Sequence, residues 1–584
     1  MLASSPTTAF PQESGIDAAR LSPTLYYPSA ASELTSRDAL HVRVESLLKD
    51  VASSAQDSLP TLLNTVEETL VALQRHAAYL RVQTLEDTTN QSAKASAEAV
   101  STDMSVLRAA LRNRLMEVPR DRIPGLGRYA RLAEQAQRDA AHAFSQDAAR
   151  YRGLLTVPVK ASIANAYNRL IAAISNQGTS SRDLATRRAA IASREGAYDS
   201  SAPVAAALLA TLVEIENRDA AAQGYANGAD RKYSSLQLSD ALVRQTLSAV
   251  EAEAPVYREY EQVLAEHAAR KLGVSPVLAA EKDLAGTSSP RIALTQARQF
   301  ILDALQPLGA EYTRRFAQLL DPANGRLDLA GGSHRARTGT SIAVYDAPVA
   351  FFFTGYDGSL TSVSTIAHEG GHAIHRELLN AGGAPVYERN GPNYLFEGFA
   401  IFNELLVLNH AAKIAKTPEE RAYALERLLW KLSVELFISA EEAAFERSLY
   451  TAASGHALLN RADVDSIFRE SVSRYEYWPL AEIGASREWM RKSLLFEDPL
   501  YLVNYLYAAV VAVALYDRMQ IDRDFASKYD ALLRRGFDAE PQALLASLNI
   551  RLDDPELVKA ASRLILSKTA ELRDLYQADG PGAR

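Results

Sequence analysis

Two histidines and a glutamate stand at a spacing that suits a metal site. Residues 365–375 read TIAHEGGHAIH, and His368 and His372 are four residues apart. On a helix, residues four apart lie on one face, so both imidazoles can reach one ion. Glu369 is one step round the helix, which suits a base acting on a water bound by zinc. The five residues also fit an ordinary helix with buried or solvated histidines, in which each glycine costs about 1 kcal/mol.

A catalytic zinc needs a third protein ligand, and the sequence offers a candidate downstream. The chain has no cysteine, so this ligand must be His, Asp or Glu. The stretch NGPNYLFEGFAIFNELLVL opens with a turn signal and carries Glu397 and Glu404, two helical turns apart. A carboxylate on an apolar helix is costly to bury unless it is paired or bound to metal. We expect Glu397 as the third ligand and Glu404 as the acceptor of a ligand imidazole N–H. The alternative is a pair of exposed glutamates on a surface helix.

Composition excludes several classes of protein. The 584 residues carry a net charge of −8 and no basic run, which argues against a general nucleic-acid binder. The N-terminus lacks a basic and apolar signal segment, so a cytoplasmic location is the default expectation. The lack of cysteine also suits an exported mature form. The run 499–516 approaches the length of a membrane span, but it carries Asn504 and several tyrosines, which favours a buried helix that lines a polar site.

The pattern of residue types along the chain predicts a mostly α-helical protein with one small sheet. Turn residues are dense in 321–358, and the short Val, Ile, Phe and Tyr runs there are the best strand candidates. The Gly, Ser and Pro cluster at 196–204 predicts a joint. We therefore expect a flexible leader (1–20), an N-terminal helical region (21–200) and a catalytic region (201–584). Residues at 3- and 4-residue steps predict the buried face of an early helix: Leu62, Val66, Leu70, Leu73, Ala77 and Leu80.

The zinc-site stretch and its flanks resemble the M3 family of zinc metallopeptidases. Glu397 stands 25 residues after His372 and is followed by GFAIFNE, in the manner of the oligoendopeptidase F branch. Three flanking blocks carry the same likeness: YDSSAPVAAALLATLVEIENRDAAAQGYANGAD, FFFTGYDGSLTSVSTIAHEGGHAIH and YDALLRRGFDAEPQALLASLNIRLDDPELVKAA. The resemblance implies a two-lobed helical fold around a deep substrate channel, with the small sheet next to the HExxH helix.

The resemblance also implies roles for individual residues. His368, His372 and Glu397 would bind one Zn²⁺ per chain, and Glu369 would be the general base. A strand within residues 341–354 would hold the substrate backbone by strand addition. The substrates would be short peptides, because only flexible chains enter the channel; no nucleic-acid partner and no membrane span are expected, and the oligomeric state is left open.

The C-terminal part departs from the family pattern at one position. Trp489 fits the family's Trp, but the family's His position falls on Leu494, which cannot donate a hydrogen bond. Tyr501 and Tyr505 fit the tyrosines that donate to the substrate carbonyl and the developing oxyanion, so we expect both to be catalytic.

Two residues are further candidates for binding the substrate. Tyr507 is a nearby spare for the catalytic tyrosines. His334, in the glycine-rich AGGSHRARTG loop, is a candidate substitute for the missing donor, with a surface loop histidine as the alternative.

Two further features of the zinc helix need an explanation. Gly370 replaces the family's large apolar residue, and we expect a neighbouring side chain to fill the space that it leaves. His375 faces the same general side as His372, and we interpret it as a hydrogen-bonded structural histidine.

The leading hypothesis is a zinc-dependent oligopeptidase that cuts within short peptides. One alternative is a zinc-bound peptide-binding protein with weak or no catalysis, which Leu494 would permit. Another is a dipeptidyl carboxypeptidase-like enzyme of the same metal-site class.

Overall fold

Helices dominate the chain, as the sequence predicts. The computed structural model describes residues 19–286, 291–455, 459–478 and 488–578, so the expected leader at 1–20 lies almost wholly outside the described residues. Within these residues the α-helices are α1 (Ala30–Ser53), α2 (Leu59–Glu86), α3 (Gln91–Met116), α4 (Ala130–Ala140), α5 (Gln146–Tyr151), α6 (Val157–Ala172), α7 (Leu184–Ala222), α8 (Gly228–Ser235), α9 (Asp240–Ala252), α10 (Ala254–Leu272), α11 (Leu294–Ala304), α12 (Ala310–Leu319), α13 (Leu360–Gly382), α14 (Asn393–Ile414), α15 (Pro418–Ser433), α16 (Ser439–Ala453), α17 (Arg461–Tyr475), α18 (Leu494–Glu497), α19 (Leu502–Ile521), α20 (Phe525–Arg535), α21 (Pro541–Ala546) and α22 (Glu556–Ala578).

The predicted small sheet is present just before α13. It comprises β1 (Leu327–Asp328), β2 (Gly339–Ile342) and β3 (Ala350–Phe353) in the order β1-β3-β2. β3 pairs in parallel with β1 and antiparallel with β2. All four residues of β3 are buried, which is why AFFF reads as a continuous apolar run.

The order of the strands decides which of them could take up a further strand. β3 falls wholly within the range 341–354 that the resemblance implied for strand addition, yet it has hydrogen-bonded partners on both sides. A central strand has no free backbone groups to offer. β2 is an edge of the three-stranded sheet and overlaps that range at Ser341 and Ile342, so it is the better candidate.

The apolar face predicted for the early helix is confirmed in α2. Val66, Leu70 and Leu73 are buried there, as is Leu80, while Leu62 and Ala77 at the edge of the stripe are partly buried. Side chains at these 3- and 4-residue steps form one stripe of a helix, and the neighbouring helices α1 and α3 pack against α2.

The expected joint at 196–204 is wrong. α7 runs without a break from Leu184 to Ala222, and Pro203 lies inside it. A short polar stretch is compatible with a helix when neighbouring side chains pack, and Ala202 and Ala205 are fully buried here. A boundary at residue 200 would cut one helix, and the division into two regions remains a prediction.

The apolar run at 499–516 forms most of α19. By length and composition α19 could cross a membrane, but 72% of its most apolar window is buried inside the protein. α19 packs against α14, and Gly398 permits this: a Cβ there would lie 3.1 Å from Val511 Cβ and 3.3 Å from the Ala508 carbonyl oxygen. α13 packs on α14 in turn, so α19 supports the two helices that carry the predicted metal ligands.

Candidate metal centre

The HEGGH residues lie in the middle of α13, a well-formed helix. Its first turn is capped by Ser359, whose hydroxyl accepts the Ser362 N–H, and its end is marked by Gly383 in the left-handed region at φ 73°. The two central glycines therefore do not break the helix. Packing against other elements offsets their low helix propensity.

Gly370 makes room for an aromatic ring from α12. A Cβ at this position would lie 2.3 Å from Phe316 Cζ, far inside contact distance, and Phe316 is fully buried. The space left by the glycine is thus filled by a neighbouring side chain, as we expected. Any larger residue at 370 would have to displace the Phe316 ring.

Gly371 permits close contact with α14. A Cβ there would lie 2.6 Å from Asn403 Nδ2 and 3.3 Å from Ala400 Cα. Asn403 is fully buried, and its amide donates to the Tyr312 hydroxyl at 2.8 Å and to the Ala367 carbonyl at 3.2 Å. One side of α13 is therefore fixed against α12 and α14.

The structure brings His368, His372 and Glu397 together on the side of α13 opposite Gly370. Their ligand atoms lie within 4.8 Å of one another. Glu397 Oε2 is 3.3 Å from His368 Nε2 and 3.8 Å from His372 Nε2. All three side chains are mostly buried, and the two imidazole rings stand nearly perpendicular. No other group of this kind occurs in the described part of the chain.

Glu404 orients His368 from behind. Its Oε2 accepts from His368 Nδ1 at 2.9 Å, which leaves Nε2 facing Glu397. Its Oε1 accepts from the Ser364 hydroxyl at 3.0 Å. This is the contact that the two-turn spacing of Glu397 and Glu404 predicts.

Lys431 extends this row of polar groups, and the sequence reasoning missed it. Its Nζ lies 2.7 Å from Glu404 Oε2 and 2.9 Å from Glu435 Oε1, all largely buried. A buried carboxylate needs a counter-charge. The signal that could have found Lys431 is a lysine in the otherwise apolar run LLWKLSVELF of α15 and the turn that follows it.

The carboxylates of the cluster suit a cation. Without a metal that cation is His368 itself: burial works against its charge, but Glu404 and Glu397 raise its pKa to about 10, and a metal would replace this proton. Burial works against an ionised Glu397, but the hydrogen bond from His368 and the nearby histidine and lysine charges lower the pKa of Glu397 to about 2. Burial, with the charge of His368, lowers the pKa of His372 to about 4, so this imidazole is neutral and can act as a ligand. Catalytic zinc sites often use two imidazoles and one carboxylate as ligands, which here are His368, His372 and Glu397. A second carboxylate, Glu404, orients one of the imidazoles. The residues present therefore fit a zinc ion.

Glu369 points towards the sheet rather than into the cluster. A Cβ on Gly339 of β2 would lie 3.4 Å from Glu369 Cγ and from its Oε1, so the carboxylate stands beside the edge strand. Burial raises the pKa of Glu369 above its ordinary value. No hydrogen bond or ion pair engages its carboxylate within the residues that the structure covers, which leaves it available as a base.

Tyr501 and Tyr505 lie near the cluster, at the start of α19. Their rings meet edge to face with centroids 5.3 Å apart, and Asn393 Nδ2 donates to the Tyr501 hydroxyl at 2.6 Å. Burial first and then the negative charge of Glu397 raise the pKa of Tyr501 to about 12. The same two causes raise the pKa of Tyr505. Both hydroxyls stay protonated at neutral pH and can donate.

Tyr507 and His334 stay predictions as substrate-binding residues, and the hydrogen bonds of both are made with residues outside the cluster. Tyr507 is fully buried, and its hydroxyl shares a hydrogen bond with Thr246 at 3.0 Å. Two residues beyond Tyr505 on a helix means about 200° of rotation, which turns Tyr507 away from the tyrosine pair. His334 is exposed, and its carbonyl accepts from the backbone and hydroxyl of Thr88 beside the end of α2.

Three further residues, His375, Trp489 and Leu494, pack within the protein. His375 is buried against Phe396 and Phe399, and its Nδ1 has no hydrogen-bond partner among the described residues, so the expected hydrogen bond at this nitrogen is absent there. Trp489 is fully buried and donates to Asp465 Oδ1 at 2.9 Å. Leu494 is partly buried at the start of α18, where it supplies packing and no donor.

A large cavity lies beside the tyrosines. Its volume is about 1530 Å³, and its lining comes from α3 and α6 on one side and from α8 and residues 496–500 on the other. Lys232, in this lining, pairs with Asp498 at 3.1 Å and lies 5.9 Å from the Tyr501 ring centroid. The predicted metal ligands are outside the lining.

Comparison with known proteins relates one part of the chain to a family. Residues 322–564 match the model of Peptidase family M3. The chain is 24% identical over 232 residues to the plasmid oligoendopeptidase F of Lactococcus lactis subsp. cremoris, and 21% identical over 297 residues to the oligopeptidase PepF of Bacillus subtilis. These matches cover 39% and 49% of this chain, and they span only 38% and 42% of the relatives' own length.

Solved structures share the fold over nearly the whole chain. Oligoendopeptidase F from Enterococcus faecium superposes with a TM-score of 0.67 at 17% identity and covers 94% of this chain and 100% of its own. A provisionally assigned peptidase from Chlamydophila abortus reaches a TM-score of 0.81 at 19% identity and covers 96% of this chain and 98% of its own. The mostly α-helical fold with one small sheet expected from the sequence is thus confirmed, and residues 322–564 of this chain are similar to peptidase family M3.

Proposed function

We propose that this chain is a zinc-dependent endopeptidase that hydrolyses short peptides. The observation that carries the proposal is the cluster of His368, His372 and Glu397, in which Glu404 fixes the direction of one imidazole. When bound there, a zinc ion would supply a Lewis acid that polarises the scissile carbonyl and lowers the pKa of a coordinated water to about 7.

Glu369 is proposed to take the proton from the attacking water. Its raised pKa and its lack of a protein partner in the covered residues support this role, because a base works best when its pKa approaches the operating pH. The protonated carboxyl can then pass the proton to the leaving amine, which completes the hydrolysis without a further acid.

Tyr501 and Tyr505 are proposed to stabilise the developing oxyanion. Both are neutral donors next to Glu397, and one well-placed donor is worth about 10²–10³ in turnover. Leu494 cannot contribute a donor here, so the two tyrosines would do this alone among the residues expected from the C-terminal block.

The substrate backbone is proposed to pair with β2. This strand is at an edge of the sheet and its Gly339 lies against Glu369, so an added peptide strand would bring its carbonyl groups past the base. The cavity between the N-terminal helices and α8 supports a preference for short and flexible chains, because a folded protein would not enter it.

A digest of quenched fluorescent peptides tests the proposal. The zinc-loaded protein should cut within peptides, and both chelation and Glu369→Ala should abolish cutting. Mass spectrometry of the products separates internal cleavage from release of C-terminal dipeptides. A folded, metal-loaded protein that cuts no member of a broad peptide library would contradict the proposal, and peptide binding without turnover would indicate a binding protein instead.

A further inference from the structure

An arginine on the metal-site helix has a charge that nothing in the described part of the protein pairs. Arg376 stands four residues after His372 and eight after His368, so all three lie along one face of α13. At about 1.5 Å of rise per residue, Arg376 is about 6 Å further along the helix than His372. Its charge contributes to the low pKa of His372, so the two side chains are within electrostatic range.

The guanidinium lies next to the helix that carries the third predicted ligand. Its carbon is 4.9 Å from the ring centroid of Phe396, the residue immediately before Glu397. Arg376 therefore sits between α13 and α14 at one side of the cluster, where it continues the site along the zinc helix.

Arg376 has no ion-pair partner and no hydrogen-bond acceptor among the described residues. It is nevertheless partly buried, and burial lowers the pKa of its guanidinium. None of its nitrogens is fully enclosed, so an incoming group can reach them. A desolvated and unpaired cation is costly, and in a binding site the missing anion is supplied by the ligand.

The neighbouring charged groups do not fill this place. Glu377, the next residue, pairs with Arg326 and lies 3.6 Å from Arg315. Arg389 already has acceptors: it donates to the carbonyls of Ala384 at 2.7 Å and Tyr345 at 3.1 Å and to the Asn380 side chain at 3.0 Å. Arg376 is thus the cation of this neighbourhood whose donors have no acceptor among the described residues.

We propose that Arg376 binds a carboxylate of the peptide substrate, which makes it a specificity-determining residue. A guanidinium binds a carboxylate through two parallel hydrogen bonds. An extended peptide advances about 3.3 Å per residue, so a carboxylate about two residues from the scissile bond would reach it. The C-terminus of the peptide or an Asp or Glu side chain can supply this group. This inference rests on the proposed function and names the substrate class for the same site.

Matched peptide pairs test the inference. One pair differs only in a free or amidated C-terminus, and the other has Glu or Gln within two residues of the cleavage site. The wild-type protein should favour the carboxylate member of one pair by about 10- to 100-fold in kcat/KM, the range expected of a charged hydrogen-bonded pair. The pair that shows the preference identifies the source of the carboxylate.

Three variants assign that preference to Arg376. Arg376→Gln should remove the preference, because only the carboxylate member of the pair gains affinity from the guanidinium that this change deletes. Arg376→Lys should keep part of the preference, because lysine keeps the positive charge but cannot donate two parallel hydrogen bonds to one carboxylate. Arg523→Gln removes the same charge from an exposed turn between α19 and α20 and should leave the ratio unchanged. A merely structural role of Arg376 would lower cleavage of both members equally.

Binding gives an independent readout. Calorimetry on Glu369→Gln should show the same preference in binding affinity, about 10- to 100-fold, as expected of a charged hydrogen-bonded pair. Adding Arg376→Gln to this variant should abolish the preference. The inference is overturned if the wild type treats both members of both pairs alike, or if Arg376→Gln leaves a preference intact. If the wild type cuts no peptide, the proposed function fails, and calorimetry still decides the role of Arg376.

Discussion

The two sides of α13 serve different purposes with equally unusual residues. One side carries His368 and His372, and a row of polar groups, Glu404 and Lys431, stands behind His368. The other side carries Gly370, where the Phe316 ring occupies the volume that a larger side chain would need, and Gly371 next to it lets α14 approach closely. The polar side supplies the chemistry, and the glycine side fixes the helix at the distance at which that chemistry becomes possible.

This difference teaches that the motif has two kinds of requirement. A change on the polar side should alter metal binding or turnover while the fold stays intact. A change on the glycine side should cost stability first. Substitutions on the two sides separate the requirement for chemistry from the requirement for packing.

Glu369→Gln should lower turnover by about 10²–10⁴, the usual contribution of a general base, with no loss of bound metal. The amide keeps the size of the side chain but cannot take a proton. Stopped peptide digests measure kcat, and a thermal melt reports the fold. Turnover within tenfold of the wild type would remove Glu369 from the mechanism.

Glu404→Ala should weaken zinc binding by about 10- to 100-fold, because His368 loses the acceptor that orients it. Lys431 would also lose one of its two carboxylate partners. Competition titration with a zinc chelator measures the affinity. Ser364→Ala removes only the donor to the other Glu404 oxygen and should have a smaller effect. Equal zinc affinity in Glu404→Ala and wild type would contradict the role of this row.

Gly370→Ala should destabilise the fold by about 1–3 kcal/mol, since the new Cβ would overlap the Phe316 ring. Denaturant unfolding measures the change. Gly196→Ala is the matched control, because Gly196 lies inside α7 with nothing within 4 Å of its added Cβ, and this change should stabilise by up to about 1 kcal/mol. If both substitutions stabilise the protein, the glycine side is not tightly packed.

A pH profile contrasts two buried glutamates. Burial is offset at Glu404 by Lys431 and His368, which lower its pKa to about 2, whereas burial raises the pKa of Glu446 to about 8. A carboxyl whose pKa rises on folding stabilises the protein fully below its unfolded value, and this stabilisation is lost as pH rises towards 8. Glu446→Gln should therefore lose less stability than wild type between about pH 5 and pH 8.

Thermal melts at these two pH values measure the effect, which leaves activity untouched. Glu419→Gln, at an exposed position, should keep the wild-type profile. A Glu446→Gln profile that parallels the wild type would contradict the assignment.

The polar side could be predicted from the sequence because helical spacing converts directly into geometry. Four residues place His368 and His372 on one face, and seven residues place Glu404 behind Glu397. The small sheet was equally clear from its local composition. These inferences need only the periodicity of one element at a time.

Contacts between distant elements explain what the sequence could not predict. Phe316 stands 54 residues before Gly370, so nothing local indicates which ring fills that space. Lys431 comes from α15, and its contact with Glu404 depends on how α15 packs against α14. The edge position of β2 depends on the order of the strands. The hydrogen bond between Tyr507 and Thr246 likewise joins two helices that are distant in the sequence.

The most direct test of the account is the metal content of the purified protein. Elemental analysis after exhaustive dialysis should give one zinc per chain in the wild type and in Gly196→Ala. It should give a large loss of zinc in His372→Ala and Glu397→Ala, with both variants still folded by circular dichroism. A wild-type protein that retains no metal, or variants that bind zinc as the wild type does, would contradict the central claim that these side chains form a metal centre.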